Sequence, residues 1–340
     1  MMEQERTSFY PGGTMSKKIS LVKPSTRTFF TESKKLGRYG PVEWLHGYIY
    51  GRWIYQYIGI GTGEHPIVKY LKPVGNAVIS IFQLVTGLRK NGGGVGFANS
   101  YHGKVVTLES ARQLVSVNQP ITMPNLEKVV PYTRARDIVL RNPDQIVAMT
   151  CPCRSARENP CEPLDVCLIV GEPFASFAVE HHPDKTRRIS QQEATAILEE
   201  ESRRGHVAHA FFKDAMLDRF YAICNCCSCC CGAMQAQRNG TPMLAPSGYV
   251  CVSEQDLCIS CGLCIELCQF SALSLEDTAE VDPASCMGCG VCVNSCPEQA
   301  LALRKDAEKG EPLEIFKLMN ECGQPGGKGL TRVGTGTNWS

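Results

Sequence analysis

The sequence predicts a mixed protein of α+β or α/β type. A cysteine-rich α/β domain precedes a small domain made of a repeated four-cysteine unit, with extended segments at both ends. Three observations lead there. Residues 258–276, "CISCGLCIELCQFSALSLE", and 286–304, "CMGCGVCVNSCPEQALALR", start 28 residues apart and share four cysteines, one glycine and an A-L-x-L ending. Between residues 125 and 250, short apolar runs alternate with amphipathic runs of helical length, the pattern of a mixed fold. The first forty residues and the last twenty are polar and rich in Pro, Gly or Thr.

A chain of 340 residues, 43% hydrophobic, is long enough for two or three domains and for a core that needs no disulfide staples. It nevertheless carries 20 cysteines. Cysteine substitutes for a core in short secreted chains, and the opening "MMEQERTSFYPGGTMSKK" has neither an apolar run nor a small-residue cleavage site. A reducing, cytoplasmic setting with thiolates committed to metal is therefore expected. The net charge of +1 is unevenly spread: residues 1–40 hold eight Lys/Arg against three Asp/Glu, and residues 251–300 hold eight Asp/Glu with no Lys or Arg. Such an acidic block steers association with a basic partner or is simply a solvated face. No nucleic-acid partner is expected.

Along the chain, residues 1–100 read as a basic, extended arm followed by apolar segments that face a partner or a membrane surface. "VEWLHGYIYGRWIYQYIGIG" (42–61) is interrupted by Glu43, His46 and Arg52, and "PVGNAVISIFQLVTGL" (73–88) is too short to span a bilayer. Burial within the protein is the plainer reading for both; contact of 42–88 with a partner helix or a membrane surface is the other. "NGGGVGFANS" (91–100) is a Gly-rich loop that does not complete G-x-G-x-x-G, because Asn99 stands at the last glycine. Residues 101–250 form the cysteine-rich α/β domain. Within it "RARDIVLRN" (134–142) reads as a short helix and "QIVAMTC" (145–151) as a strand running into cysteines. Ser190 with Glu193 makes a capping box for a helix that stops at Gly205. "HVAHAFF" (206–212) reads as a strand, and "DAMLDRFYAI" (214–223) leads into "CNCCSCCC". Residues 251–304 are the repeat, and 305–340 a flexible or partner-wrapping tail.

The repeat carries the clearest chemistry. Cys258, Cys261, Cys264 and Cys268 form one C-x2-C-x2-C-x3-C run, and Cys286, Cys289, Cys292 and Cys296 the other. Three thiolates spaced by two residues wrap one face of a four-iron cubane, and the fourth, on the following helix, ligates the other cluster. The assignment is Cys258, Cys261, Cys264 and Cys296 to one [4Fe–4S] cluster, and Cys286, Cys289, Cys292 and Cys268 to the second. Gly262 and Gly290, without Cβ, let backbone N–H groups approach cluster sulfurs, and Ile259, Leu263, Ile265, Val291 and Val293 supply a dry wall. Structural zinc, which favours two separated C-x2-C knuckles, fits this compact pattern poorly.

On these residues, 251–304 resembles a bacterial two-cluster [4Fe–4S] ferredoxin domain. The resemblance implies one-electron transfer between two nearby clusters and names neither donor nor acceptor. Gln269 departs from the family, which has Pro after the fourth cysteine; Pro297 keeps the pattern in the second run.

Upstream, "CPCRSARENPCEPLDVC" supplies Cys151, Cys153, Cys161 and Cys167, and the octet supplies Cys224, Cys226, Cys227, Cys229, Cys230 and Cys231. The C-x-C-R and C-N-C-C-x-C-C-C pairing is similar to that of uncharacterised bacterial iron–sulfur proteins that also carry a ferredoxin domain. Strand ends near 150 and 223 bring the groups together at one edge of a sheet, where α/β folds keep their sites. Ten thiolates suffice for one or two additional Fe–S clusters or a larger assembly, with zinc and disulfides as the other readings. Six cysteines in eight residues cannot all reach one cubane, so the octet is shared or leaves some thiols free. Arg154 and Arg157 place positive charge beside the first pair, which favours thiolates. Cys251 and Cys322 read as buried or incidental thiols. His206, His209, His181 and His182 read as surface or hydrogen-bonding groups. No catalytic residue can be named.

Three functions compete. The first is an iron–sulfur electron-transfer protein, a subunit of a multi-component oxidoreductase with redox protein partners, in the cytoplasm or associated with a membrane through its complex. The second is a redox enzyme with substrate chemistry at an unusual cluster in 125–250. The third is a zinc-binding or redox-sensing module.

Overall fold

A computed structural model of the protein describes residues 22–37, 39–68, 101–132 and 134–322. The segments 73–88 and 91–100 therefore lie outside the described residues. Helix α1 (Pro24–Lys35) opens on a proline, whose fixed φ suits the first helical position. The basic arm is thus helical over 24–35 rather than extended. Helices α2 (Pro41–Arg52) and α3 (Ile54–Thr62) follow, separated at Trp53.

The body is a curled, mostly antiparallel sheet. Its strands are β1 (Tyr101–Val105), β2 (Ile121–Met123), β3 (Ile138–Met149), β4 (Cys167–Glu172), β5 (Thr186–Ile189), β6 (Val207–Lys213), β7 (Arg219–Cys226) and β8 (Leu244–Ala245). They run in the order β2-β3-β4-β7-β6-β1-β8, with β5 paired to β3. Among the paired strands of the described residues only β1–β8 is parallel, beside one isolated parallel bridge between Asp137 and Arg219. The segment 134–142, read as a helix, is irregular over 134–137 and from Ile138 on is the start of β3. Ile138 and Leu140 alternate inward at period two, and the left-handed Asn142 before Pro143 accompanies a register shift between Arg141 and Ile146. The helix Gln191–Arg203 begins at the expected cap, Ser190 Oγ accepting from the Glu193 amide at 3.1 Å, but the Glu193 carboxylate pairs with Arg187, so only half of the expected capping box forms; Gly205 beyond the helix has a positive φ of 83°.

Strand alternation gives the sheet two distinct faces. Ile146, Ala148, Leu168, Val170, Phe212 and Phe220 pack on one side beneath the helices Leu108–Val115 and Gln191–Arg203. Val147, Met149, Cys167, Ile169, Phe211 and Tyr221 face the other, where α1–α3 and the helix Phe174–His181 cover them. One side of the segment 42–61 is therefore packed on protein, while Val42, Leu45, Ile49 and Trp53 stay exposed. Tyr50 and Tyr221 hydroxyls lie 2.7 Å apart, Tyr39 donates to the Ala215 carbonyl at 2.7 Å, and Tyr55 donates to the Thr150 carbonyl at 2.8 Å. Gly47 allows that approach, since a Cβ there would run into the carbonyl of Ala215. No helix among the described residues is long and apolar enough to cross a membrane.

The C-terminal repeat adds β9 (Tyr249–Ser253) paired to β12 (Leu301–Lys305), and β10 (Leu273–Leu275) paired to β11 (Ala279–Val281). Each cysteine run ends in a short helix, Leu263–Leu267 or Val291–Ser295. The expected loose tail is ordered to residue 322. Ile315 and Met319, one helical turn apart, are 0% and 1% exposed in the first core, and residues 323–340 lie outside the described ones.

Candidate metal centres

The ferredoxin-type repeat keeps its thiols close to one another. A small cavity is lined by Cys258, Cys261, Cys264 and Cys296 together with Ile259, Leu263 and Pro297. Backbone amides aim at sulfur: Ala279 N donates to Cys258 Sγ at 3.4 Å, Ala300 N to Cys296 Sγ and Ala272 N to Cys268 Sγ at 3.3 Å. Such bonds stabilise thiolate charge without adding cations. Gly262 and Gly290 sit at positive φ, 77° and 79°, immediately before the two short helices. Cys289 is pushed up by burial, with the thiols of Cys292, Cys268 and Cys286 adding to the effect. Its neighbours thus include Cys268 of the other run. A set of buried thiols that mutually oppose ionisation is a set that a cationic cluster would relieve.

Residues 257–300 match the family model of the 4Fe-4S dicluster domain. The C-terminal region is therefore an iron–sulfur domain of ferredoxin type, although the match spans a small part of the chain. Comparison with curated proteins gave no match.

Cys251, read as a buried or incidental thiol, is buried and also touches the second run. Cys251 on β9 is 4% exposed, its Sγ lies 3.6 Å from Cys292 Sγ, and its amide donates to Cys286 Sγ at 3.4 Å. Its signal is only its place, seven residues before the first run. Cys322 is exposed.

The ten upstream cysteines are gathered at one end of the sheet, and they divide. Cys167 lies directly opposite Cys224 in the β4–β7 register, and Cys226, two residues on, shares the face. β3 ends at Met149, so Cys151 and Cys153 turn under the same face. Thiol–thiol contacts run from Cys224 to Cys167, Cys151, Cys153, Cys231 and Cys226 in turn. Cys151 is held well below the usual thiol range by the Cys153 and Cys167 thiols and then by Arg154, whereas Cys153 and Cys167 are pushed up by their thiol partners and by burial. The second group is Cys161, Cys227, Cys229 and Cys230, whose Sγ atoms all lie within 4.8 Å of one another. The octet thus gives three thiols to each group: β7 carries Cys224 and Cys226 inward, the turn after it swings Cys227, Cys229 and Cys230 towards Cys161, and Cys231 returns to Cys153 and Cys226.

Arg154 is built into the support rather than free beside the thiols. Its guanidinium, 1% exposed, reaches Glu201 Oε2 at 2.8 Å, His206 Nδ1 at 3.1 Å, the Asn225 carbonyl at 3.0 Å and the carbonyl of Pro163. Arg157 pairs with Glu64 and donates to the Cys230 carbonyl at 3.2 Å. His206 is accordingly a buried hydrogen-bonding group. His209 is fully buried against the Val207 carbonyl at 3.0 Å. His181 ends a helix rather than lying in a loop, with Thr26 Oγ1 at 2.8 Å, and His182 meets the Gly51 carbonyl at 2.7 Å.

Proposed function

We propose that this is an iron–sulfur electron-transfer protein, a subunit of a larger oxidoreductase. In this reading single electrons pass through two ferredoxin-type [4Fe–4S] clusters and one further cysteine-ligated cluster upstream. The observation that carries it is the cavity enclosed by Cys258, Cys261, Cys264 and Cys296 inside the matched domain. The second set is Cys286, Cys289, Cys292 and Cys268, with Cys251 as a close neighbour. The further cluster belongs to the buried six-thiol group, Cys151, Cys153, Cys167, Cys224, Cys226 and Cys231. Bound there, such clusters supply one-electron storage over a potential set by hydrogen bonds and burial. The chain's own part is to hold the thiols together, to aim amides at sulfur and to keep water out beneath Tyr50, Ile54 and Ile58, which line the six-thiol site.

Partner docking is proposed for the outward side of α2 and the residue after it. Val42, Leu45, Ile49 and Trp53 are 76%, 50%, 39% and 45% exposed at helical spacing, opposite the side packed on the sheet. The acidic block at 251–300 suits a basic redox partner. Anaerobic purification with iron and sulfide counts and EPR of the reduced protein tests the whole reading. More than about eight irons per chain, the content of two four-iron clusters, is expected; a preparation without iron sinks it.

A second reading, substrate chemistry at the six-thiol centre, is favoured by one observation. A cavity of about 240 Å³ lined by Tyr50, Tyr57, Thr62 and Lys213 reaches Cys153. A substrate-induced change in the EPR spectrum would move the assignment from carrier to enzyme.

A further inference from the structure

The four-thiol group differs from the rest in its spacing. Cys161 Sγ lies 3.1 Å from Cys229 Sγ, Cys229 Sγ lies 3.7 Å from Cys230 Sγ, and all four sulfurs including Cys227 fall within 4.8 Å of one another. One tetrahedral ion with metal–sulfur bonds of about 2.3 Å holds its thiolates about 3.8 Å apart. A cubane spreads four thiolates over four separate irons and holds them farther from one another. The six-thiol group lacks this compactness: its contacts run from thiol to thiol along the sheet face.

We propose that Cys161, Cys227, Cys229 and Cys230 bind a single thiophilic divalent ion, zinc or mononuclear iron, in a closed tetrahedral site of its own beside the six-thiol cavity, whose wall Cys227 and Cys230 also form. This rests on the reading that the upstream thiols bind metal, and it removes four of them from the cluster ligands.

The surroundings are those of a structural clamp. Three of the ligands come from one turn, whose carbonyls are occupied by side chains. Arg238 donates to the Ser228 carbonyl at 3.2 Å, Gln235 to the Cys229 carbonyl at 2.7 Å and Arg157 to the Cys230 carbonyl at 3.2 Å. With the carbonyls held outward, the thiols are left to converge. Arg157 and Arg238 also offset the net double negative charge of four thiolates around a divalent ion. The fourth ligand, Cys161, comes from the irregular stretch after the short helix Pro152–Ser155, so one ion ties that stretch to the octet turn. Cys227 and Cys230 are buried while Cys229 is exposed, so the ion loads from the surface but keeps no open coordination position.

The test uses the full chain purified anaerobically, with zinc, iron and sulfide counts for wild type and for the Cys161→Ser/Cys229→Ser double variant. The double variant is expected to lose about one metal ion per chain and no sulfide, with the EPR signals of the reduced clusters unchanged. Loss of zinc identifies zinc as the ion; loss of one iron together with the optical bands of an iron tetrathiolate identifies mononuclear iron; either supports the site. Loss of about four irons with matching sulfide, or no metal loss at all, overturns it. Should the double variant fail to fold, Co(II) added to wild-type protein produced in zinc-depleted, cobalt-supplemented medium provides the second measurement. The intense visible bands of a tetrahedral cobalt tetrathiolate support the proposal, and their absence overturns it. A chain with this ion but no iron in the repeat would fail the electron-transfer reading and leave the clamp standing.

Discussion

The amide of Ser228, in the middle of the octet, donates to Gln269 Oε1 at 2.8 Å. Gln269 is the residue that follows Cys268, and it stands where ferredoxins of this kind have proline. Its side chain thus joins the upstream thiols to the fourth cysteine of the first run. The departure from the family pattern is a bridge between the two halves of the molecule.

Gln269→Ala removes that bridge and leaves the Ser228 amide unpaired. A loss of about 1 kcal/mol in stability is expected, with cluster iron unchanged. Denaturant unfolding of the anaerobic protein measures the first and elemental analysis the second; loss of cluster iron in this variant would show that Gln269 supports a ligand instead.

Arg154→Met strands Glu201 and His206 in the core, since both lean on the guanidinium at 2.8 and 3.1 Å. Removing one partner of a buried ion pair costs about 3–5 kcal/mol, far more than the pair is worth in comparison with an apolar replacement. The Arg154→Met/Glu201→Met double variant is expected to recover much of the loss. Equal stability of single variant and wild type would place the charge outside the framework of the site.

Cluster crossover is open to a direct check. Cys268→Ser is expected to impair the cluster of Cys286, Cys289 and Cys292, and Cys296→Ser the cluster of Cys258, Cys261 and Cys264. In each the spin–spin interaction in the EPR spectrum of the fully reduced protein should collapse to the signal of one intact cluster. If Cys268→Ser instead altered the cluster of its own run, the assignment would be reversed.

Acid should loosen α1. Burial first, then Lys23 and Arg52, lowers the His181 imidazole to about 4, and its partner Thr26 is on α1. The unfolded chain takes up this proton near pH 6.5, the folded chain only near 4, so stability falls as pH drops from 6.5 towards 4 and is unaffected above. Protease cleavage at Arg27 should therefore accelerate between pH 7 and 5 in wild type, and that acceleration should be smaller in His181→Gln. An identical pH response in both proteins would assign it to other groups.

The ferredoxin-type domain was legible because its cysteines are local: both four-cysteine runs fall within the matched residues 257–300. The gathering of the two upstream groups was also legible, from strands ending near 150 and 223. Their division into six and four was not, because it depends on Cys167 facing Cys224 across an antiparallel register and on a turn reversing the rest of the octet. The parity of Cys224 and Cys226 would have put those two on one face. Residues 134–142 misled because charged residues at helical spacing outweighed Ile138, Val139 and Leu140. The tail misled because Gly- and Thr-rich residues at its end masked Ile315 and Met319, two anchors one turn apart.

Cys151, Cys167, Cys226 and Cys231 are 7%, 3%, 6% and 5% exposed beneath the N-terminal helices. Tyr50, Ile54 and Ile58 line the same cavity as these thiols, so a cluster proposed there would lie under the N-terminal helices. On the proposed reading maturation would therefore have an order: α2 and α3 would dock after the thiols beneath them had received their iron, and the same closure would shield the finished centre from oxygen.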